Sequence, residues 1–265
     1  MRNLLIATLV ASAVGATNTA TSAVQADTTV YPDDLIEAFN ATHPDRKIDD
    51  PPEVRASEAG VIEHGPRDED RRQIALTFDA CSQNGPNHID AKLIERLRDH
   101  NVPATMFLGG LWMNDHPELT AEIHDDPLFE LANHAHGHPN LTEMSADDVR
   151  VQIGFAQLMA YSLTKEAPRY FRAPFVDYND TVAEVAGKFS LPLIQYDIAS
   201  GDADENLGAE AIADHVLDRA RPGSIVVLHM HNPDLATADA LELILEGLRE
   251  RELEPVTVGD LLEDG

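Results

Sequence analysis

Three histidines stand within five residues in the stretch Asn133-His134-Ala135-His136-Gly137-His138-Pro139. Imidazole is the commonest neutral metal ligand in proteins. Two histidines at i and i+4 share one face if the segment turns helically. His134 and His138 have that spacing, and His136 points elsewhere. The stretch follows the apolar run Pro127-Leu128-Phe129-Glu130-Leu131-Ala132, which reads as a short buried strand. A histidine-rich surface loop has the same local pattern. The two readings part on whether distant segments bring further chemistry to the same place.

Those segments are positioned by an alternation of apolar strands and amphipathic helices. Strands are expected at Gln73–Phe78, Ala104–Leu108, the run before His134, Tyr170–Arg172, Pro192–Asp197, Ser224–His229 and Glu254–Thr257. Helices fall between them, for example where Ile89, Leu93, Ile94 and Leu97 recur at helical spacing, and after Ser145-Ala146-Asp147-Asp148, a helix N-terminus. Strict alternation implies parallel strands joined by right-handed crossovers, in a barrel or an open sheet. In such folds functional residues lie at the C-terminal ends of the strands. Read in order, those ends carry Asp79, the His134/His138 pair, Arg172, Asp197 or Asp202, and His229. Charged groups converging on one mouth are costly to desolvate unless they pair or bind metal, so a solvated rim explains them poorly.

The flanks set bounds. Residues 1–26 have a short polar start, an apolar run from Leu4 to Ala16 and small residues at Val24-Gln25-Ala26, the pattern of a secretory signal peptide. A secreted or periplasmic protein is therefore expected, with no later stretch apolar enough to span a bilayer. Residues 27–72 are polar, charged and proline-containing, and read as an extended, largely irregular arm with one or two helical turns at Leu35–Phe39. Residues 73–265 are expected to form the folded domain that carries the strand-end residues. Cys81 is the single cysteine, so no internal disulfide framework exists. The formal charge of −28, with lysines only at 47, 92, 165 and 188, disfavours nucleic acid and anionic membranes as partners. An acidic, lysine-poor surface also suits an exported protein of a high-salt environment, where salt screens the self-repulsion.

Five segments together resemble the motifs of the polysaccharide deacetylase family, the homology domain of chitin, chitooligosaccharide and peptidoglycan deacetylases. They are Thr77-Phe78-Asp79-Ala80, His134-x3-His138-Pro139, Phe171-Arg172-Ala173-Pro174-Phe175, Tyr196-Asp197-Ile198-Ala199-Ser200-Gly201-Asp202 and Gly223-Ser224-Ile225-Val226-Val227-Leu228-His229. The resemblance covers the chain from about Gln73 onward. It implies a distorted (β/α) barrel of about seven parallel strands and an acetylated oligo- or polysaccharide substrate. It further implies that His134 and His138 bind a divalent ion, foremost Zn²⁺, which polarises the acetyl carbonyl and activates water. By the same resemblance Asp79 is the general base, Arg172 holds it ionised, and His229 is the general acid. Asp202 is the better match for the carboxylate behind His229, and Asp197 the weaker one. The Phe175 backbone N–H would stabilise the oxyanion, and Val227 and Leu228 would form the pocket for the acetyl methyl.

This chain departs from the pattern at several points. Ala80 stands where the family has a second aspartate, the third metal ligand, and catalytic zinc normally takes three protein ligands plus water. His136, His231 or Cys81 would have to supply the missing donor, or Asp79 would move onto the metal, or the site would work without one. Val176 replaces a glycine of the third motif, and Ala203 a tryptophan of the fourth. Trp112, after Gly109-Gly110, is read as packing before sugar stacking. The leading expectation is a secreted, metal-dependent deacetylase of N-acetylated (or O-acetylated) carbohydrate. A metal-independent hydrolase of another C–N bond is the alternative, and a non-catalytic carbohydrate-binding relative the third reading.

Overall fold

Gln73–Ala80 is an eight-residue strand with every side chain after Gln73 buried, and the rest of the sheet is built outward from it. The computed structural model describes residues 30–53, 60–82 and 86–263, so the expected signal peptide lies outside the described residues. In chain order the elements are α1 (Asp33–Thr42), β1 (Val61–Ile62), β2 (Gln73–Ala80), α2 (Ala91–Asp99), β3 (Ala104–Leu108), α3 (Gly110–Asp115), α4 (Pro117–Asp125), β4 (Phe129–Asn133) and α5 (Ala146–Thr164). They continue with α6 (Asp180–Lys188), β5 (Leu193–Ile194), β6 (Ile198–Ala199), α7 (Ala209–Leu217), β7 (Ile225–His229), α8 (Thr237–Glu250), β8 (Glu254–Val256) and α9 (Val258–Leu262).

All ladders are parallel, as the strand–helix alternation requires. The order β4-β3-β2-β7-β6 forms the main wall. β8 pairs with the first half of β2 (Gln73↔Glu254 to Ala75↔Val256), while β3 pairs with the second half. Phe171, bridged to Asn133 on one side and to Leu193 on the other, joins this wall to the β1–β5 pair. Among the described residues no ladder joins β5 to β6, so the barrel is distorted there. The expected strand at Pro192–Asp197 shortens to β5, and β6 begins just beyond it. The expected strand at Tyr170–Arg172 reduces to single bridges at Phe171.

Side chains alternate across a strand, and here the alternation separates two cores. Ile74, Leu76, Phe78 and Ala80 of β2, with Met106, Leu108, Val226 and Leu228, face the surrounding helices. Ala75, Phe107, Ala132, Ile194, Ile225 and Val256 fill the barrel interior. Thr77 and Asp79 are on that interior side, and their polar atoms have to be satisfied inside it.

Where it is described, the stretch 27–72 packs on the domain, and the helical turns expected at Leu35–Phe39 lie within α1. Helix α1 lays Leu35 and Phe39, four residues apart, against α5, where both are fully buried. Phe39 meets the Phe155 ring edge-on at 5.5 Å. A Cβ on Gly154 of α5 would come within 2.6 Å of Leu35, so the glycine lets α1 approach. Burying two such side chains is worth about 1.5–3 kcal/mol each, enough to order a short helix that is marginal alone. Strand β1 then enters the wall beside β5, and Gly65 N–H donates to the Gly223 carbonyl at 2.8 Å. No helix among the described residues is long and apolar enough to cross a membrane.

Candidate active site

The histidine stretch leaves β4 in a tight turn, and residues 134–140 carry no helix. Asn133 caps the turn: its Oδ1 accepts the Ala135 N–H at 2.8 Å, while its Nδ2 donates to Ile153 O and to Gln157 Oε1 on α5. Ala135 takes φ of 60°, a left-handed conformation uncommon for a residue with a Cβ. The start of α3 pins the loop from outside, with Gly110 and Leu111 N–H donating to the carbonyls of Ala135 and His136. A Cβ at Gly110 would stand 2.3 Å from His136 Nδ1, so only glycine allows this approach. His134 and His138 meet with ring centroids 5.3 Å apart. The i,i+4 helical face expected for the pair is therefore replaced by a loop that brings them together.

The second cluster is the ion pair of Asp79 and Arg172, both buried. Arg172 Nη1 donates to Asp79 Oδ1 at 2.8 Å and to Thr77 Oγ1 at 2.7 Å. Nε and Nη2 donate to the Ile194 and Gln195 carbonyls, and the guanidinium lies over the Phe107 ring at 4.1 Å. Burial pushes the Asp79 carboxyl up, but Arg172, His134 and His229 together hold it below the usual carboxylate range. Thr77 was not among the expected site residues. Its signal was its place two residues before Asp79, on the same strand face.

Three ligand atoms converge beside this pair. Cys81, His134 and His138 each offer one within 4.8 Å of the others. Cys81 Sγ is 3.7 Å from His134 Nε2, which is itself 3.9 Å from Asp79 Oδ2. His134 Nδ1 donates to the Arg172 carbonyl at 3.0 Å, which leaves Nε2 with its lone pair facing the cluster. Burial drives His134 down, and pushes His138 down to about 4 with the help of neighbouring His134, so both imidazoles are neutral as ligands must be. Burial, together with Asp79 and Asp202, pushes the Cys81 thiol up. The donor set of two neutral imidazoles and a thiol suits a divalent ion of the zinc type.

The other expected donors lie outside this cluster. The ring of His136 packs edge-on against His43 of the α1 end and Phe155 of α5. His231 turns its Nδ1 to the Asp79 carbonyl, 3.4 Å away. Ala80 faces the helices, in the outer core.

The third cluster is His229 with Asp202. His229 Nδ1 is 2.9 Å from Asp202 Oδ1, and its backbone N–H donates to Oδ2 at 2.7 Å. Ser200 Oγ and Thr237 Oγ1 also donate to this carboxylate, at 2.8 and 2.7 Å. Burial lowers His229, but the Asp202 hydrogen bond and charge outweigh it, and the ring is raised above its ordinary value. Ser200 is close to Asp202 in sequence, whereas Thr237 comes from the start of α8 and carries no local signal.

Asp197, the weaker candidate, sits elsewhere: it accepts from the Ile225 N–H, Ser224 Oγ and Arg67 Nη2 at the beginning of β7. Asp197→Ala should cost about 1–3 kcal/mol in urea unfolding, because the Ile225 N–H loses its acceptor. It should leave the pH dependence of turnover unchanged, and a shifted profile would return Asp197 to the site.

Two further expected residues separate as well. Val227 is on the interior side of β7, but alternation turns Leu228 outward into the helix-facing core, away from any acetyl pocket at the mouth. Phe175 and Val176 have φ of 59° and 54°. Positive φ at a β-branched residue is a backbone outlier worth about 1–3 kcal/mol of strain, and Val176 is the position of the motif's glycine. The Phe175 ring is largely exposed beside His138, with centroids 4.5 Å apart. Trp112 is fully buried and donates Nε1–H to the His88 carbonyl, a packing residue with no face for a sugar. A cavity of about 850 Å³ is lined by Tyr31, Gln157, Tyr161, Arg169 and Tyr170 among others, and none of the three clusters borders it.

A parallel barrel with an Asp–Arg pair, a His/His/Cys cluster and a His–Asp pair at its C-terminal mouth is a hydrolase-type site. The polysaccharide deacetylase family model matches residues 67–194. The chitooligosaccharide deacetylase of Sinorhizobium fredii is 34% identical over 171 residues, covering 63% of this chain and 77% of that protein. A bifunctional xylanase/deacetylase of Pseudobutyrivibrio xylanivorans is 30% identical over 75% of this chain, which spans only 32% of that longer protein. Among solved structures, a peptidoglycan N-acetylglucosamine deacetylase aligns with a TM-score of 0.70 at 26% identity, over 78% of this chain and 94% of its own. A Bacillus anthracis protein described as a pseudoenzyme of carbohydrate esterase family 4 shares the fold, with a TM-score of 0.69 at 24% identity over 86% of this chain and 81% of its own. The chain belongs to the polysaccharide deacetylase family and has its distorted (β/α) barrel.

Proposed function

We propose that this protein is a divalent-metal-dependent deacetylase that hydrolyses acetyl groups from N-acetylated (or O-acetylated) carbohydrate. The observation that carries the reading is the convergence of base, ligand and acid clusters at one barrel mouth. His134 and His138 would hold the ion, which supplies Lewis-acid polarisation of the acetyl carbonyl and of the attacking water when bound. Asp79, kept ionised by Arg172, takes the water's proton. His229, kept protonated by Asp202, delivers a proton to the departing amine. The backbone N–H of Phe175 is the donor assigned to the oxyanion. The ring of Phe175, exposed beside His138, is the surface on which a sugar ring would rest.

Residues 1–26 are read as an export signal from sequence alone, and export would bring the enzyme to wall or extracellular polymer. The relatives named above act on chitooligosaccharide and peptidoglycan, so both are the substrates to try. Acetate should be released from N-acetylated chitooligosaccharides or peptidoglycan fragments, and removal of metal by a chelator should abolish the release until a divalent ion is returned. Activity that survives both chelation and His134→Ala would move the reading to a metal-independent hydrolase. Bound metal without acetate from any acetylated polymer would favour the non-catalytic, carbohydrate-binding reading.

A further inference from the structure

We propose that Cys81 is the third protein ligand of the ion held by His134 and His138, so that the centre is thiolate-bound. The proposal rests on the metal-dependent reading above and adds to it the identity of a ligand.

The position follows from the strand. Alternation along β2 faces Thr77 and Asp79 to the interior and Ala80 to the helices, and the next residue, Cys81, has its Sγ against the imidazole of His134. A tetrahedral zinc at ordinary bond lengths separates a sulfur and a nitrogen ligand by about 3.6 Å. Cys81 Sγ and His134 Nε2 stand 3.7 Å apart, and all three donor atoms lie within 4.8 Å.

The competing donors are less well placed, and the Nδ1 of His136, buried without a hydrogen-bond partner, lies outside the cluster. Asp79 is held by Arg172 at 2.8 Å, and taking it onto the ion would strip a buried guanidinium of its counter-charge. His136 is packed against His43 and Phe155, and His231 is turned to the Asp79 carbonyl. A purely structural buried cysteine would place its sulfur among apolar groups, whereas this sulfur faces an imidazole nitrogen whose tautomer leaves a lone pair toward it. On binding, the S–H bond breaks, the sulfur–metal bond forms and the proton leaves to solvent. The thiolate then carries the negative charge that the family's second aspartate would have brought, and as a soft donor it favours zinc over magnesium or calcium. Asp79 remains free to act as base.

The test uses the full protein, stripped of metal and refilled with Co²⁺. The expected result is one equivalent of cobalt with a near-ultraviolet thiolate-to-cobalt charge-transfer band. Cys81→Asp, which offers an oxygen donor, should keep the cobalt and lose the band. In Cys81→Ala, zinc affinity measured against a chromophoric chelator should fall by more than the roughly 10–100-fold that loss of a supporting hydrogen-bond partner costs, with circular dichroism showing the fold retained. Stoichiometric cobalt without the band, or an unchanged affinity in Cys81→Ala, overturns the assignment while leaving a histidine-held centre in place. Failure of the unaltered protein to retain any divalent ion overturns the metal-dependent reading itself.

Discussion

Arg172→Met should lower the unfolding free energy by about 3–5 kcal/mol, the loss expected when one partner of a buried ion pair is removed. The guanidinium is fully buried, and its donors reach Asp79, Thr77 and the carbonyls of Ile194 and Gln195. Methionine fills part of the volume over Phe107 but satisfies none of the four acceptors. Against a typical total of about 5–15 kcal/mol, the deficit is large. At about 2–4 °C per kcal/mol for a domain of this size, the melting temperature should drop by roughly 6–20 °C in a circular-dichroism melt.

The pH dependence of that deficit has a definite sign. Asp79 is held below the usual carboxylate range in the folded protein. Its pairing therefore contributes stability above the unfolded carboxylate pKa, and that contribution is lost as pH falls through the folded value. The gap between Arg172→Met and the unaltered protein should be widest near neutrality and narrow on acidification. A deficit below about 1 kcal/mol at neutral pH, the worth of one ordinary hydrogen bond, would mean that Asp79 is already uncharged and cannot serve as base.

His229→Ala should reduce kcat for acetate release by about 10²- to 10⁴-fold, the usual worth of a positioned general acid. Stability should change little, because the ring is partly open to solvent on the mouth side and its backbone N–H to Asp202 survives the substitution. Asp202→Asn separates the acid role from mere packing. The carboxylate raises His229 above its ordinary value against the opposing effect of burial. An acid must be protonated to act, so activity falls as pH rises through the His229 pKa. Removing the Asp202 charge lowers that pKa, and the alkaline limb of kcat/KM should move to lower pH. An alkaline limb that stays in place in Asp202→Asn would sink the assignment of His229 as the group that titrates there. Because Asp202 also accepts from Ser200 and Thr237, the melt of Asp202→Asn is needed alongside to separate the shift from partial unfolding.

Much of this was legible from residue order because the physics is local. Apolar runs and helical spacing gave α2, β2, β3 and β7 close to their limits, since each of these elements buries a continuous face. The strand-end rule then named Asp79, the His134/His138 pair, Arg172, Asp197 or Asp202, and His229 without knowledge of any contact. Short elements were not legible. β1 and β6 are two residues each, and α3 is six, too short for a period to register. The α1 segment looked like part of an arm because its apolar face is only Leu35 and Phe39, and what covers that face, α5, lies more than a hundred residues away.

By itself, then, the order of residues determined the parallel strand–helix alternation, the strand ends that carry chemistry, and most of the groups found there. Tertiary structure alone decided how those groups are shared out. The choice between Asp197 and Asp202 turned on a carboxylate reaching His229, a contact set by the distance between two loops. Which of Cys81, His136 and His231 stands beside the His134/His138 pair turned on where side chains point after a strand ends, which depends on the pleat of β2, the left-handed Ala135 turn and the glycine that lets α3 press on it. Such directions come from neighbours distant in the chain, and no local pattern encodes them.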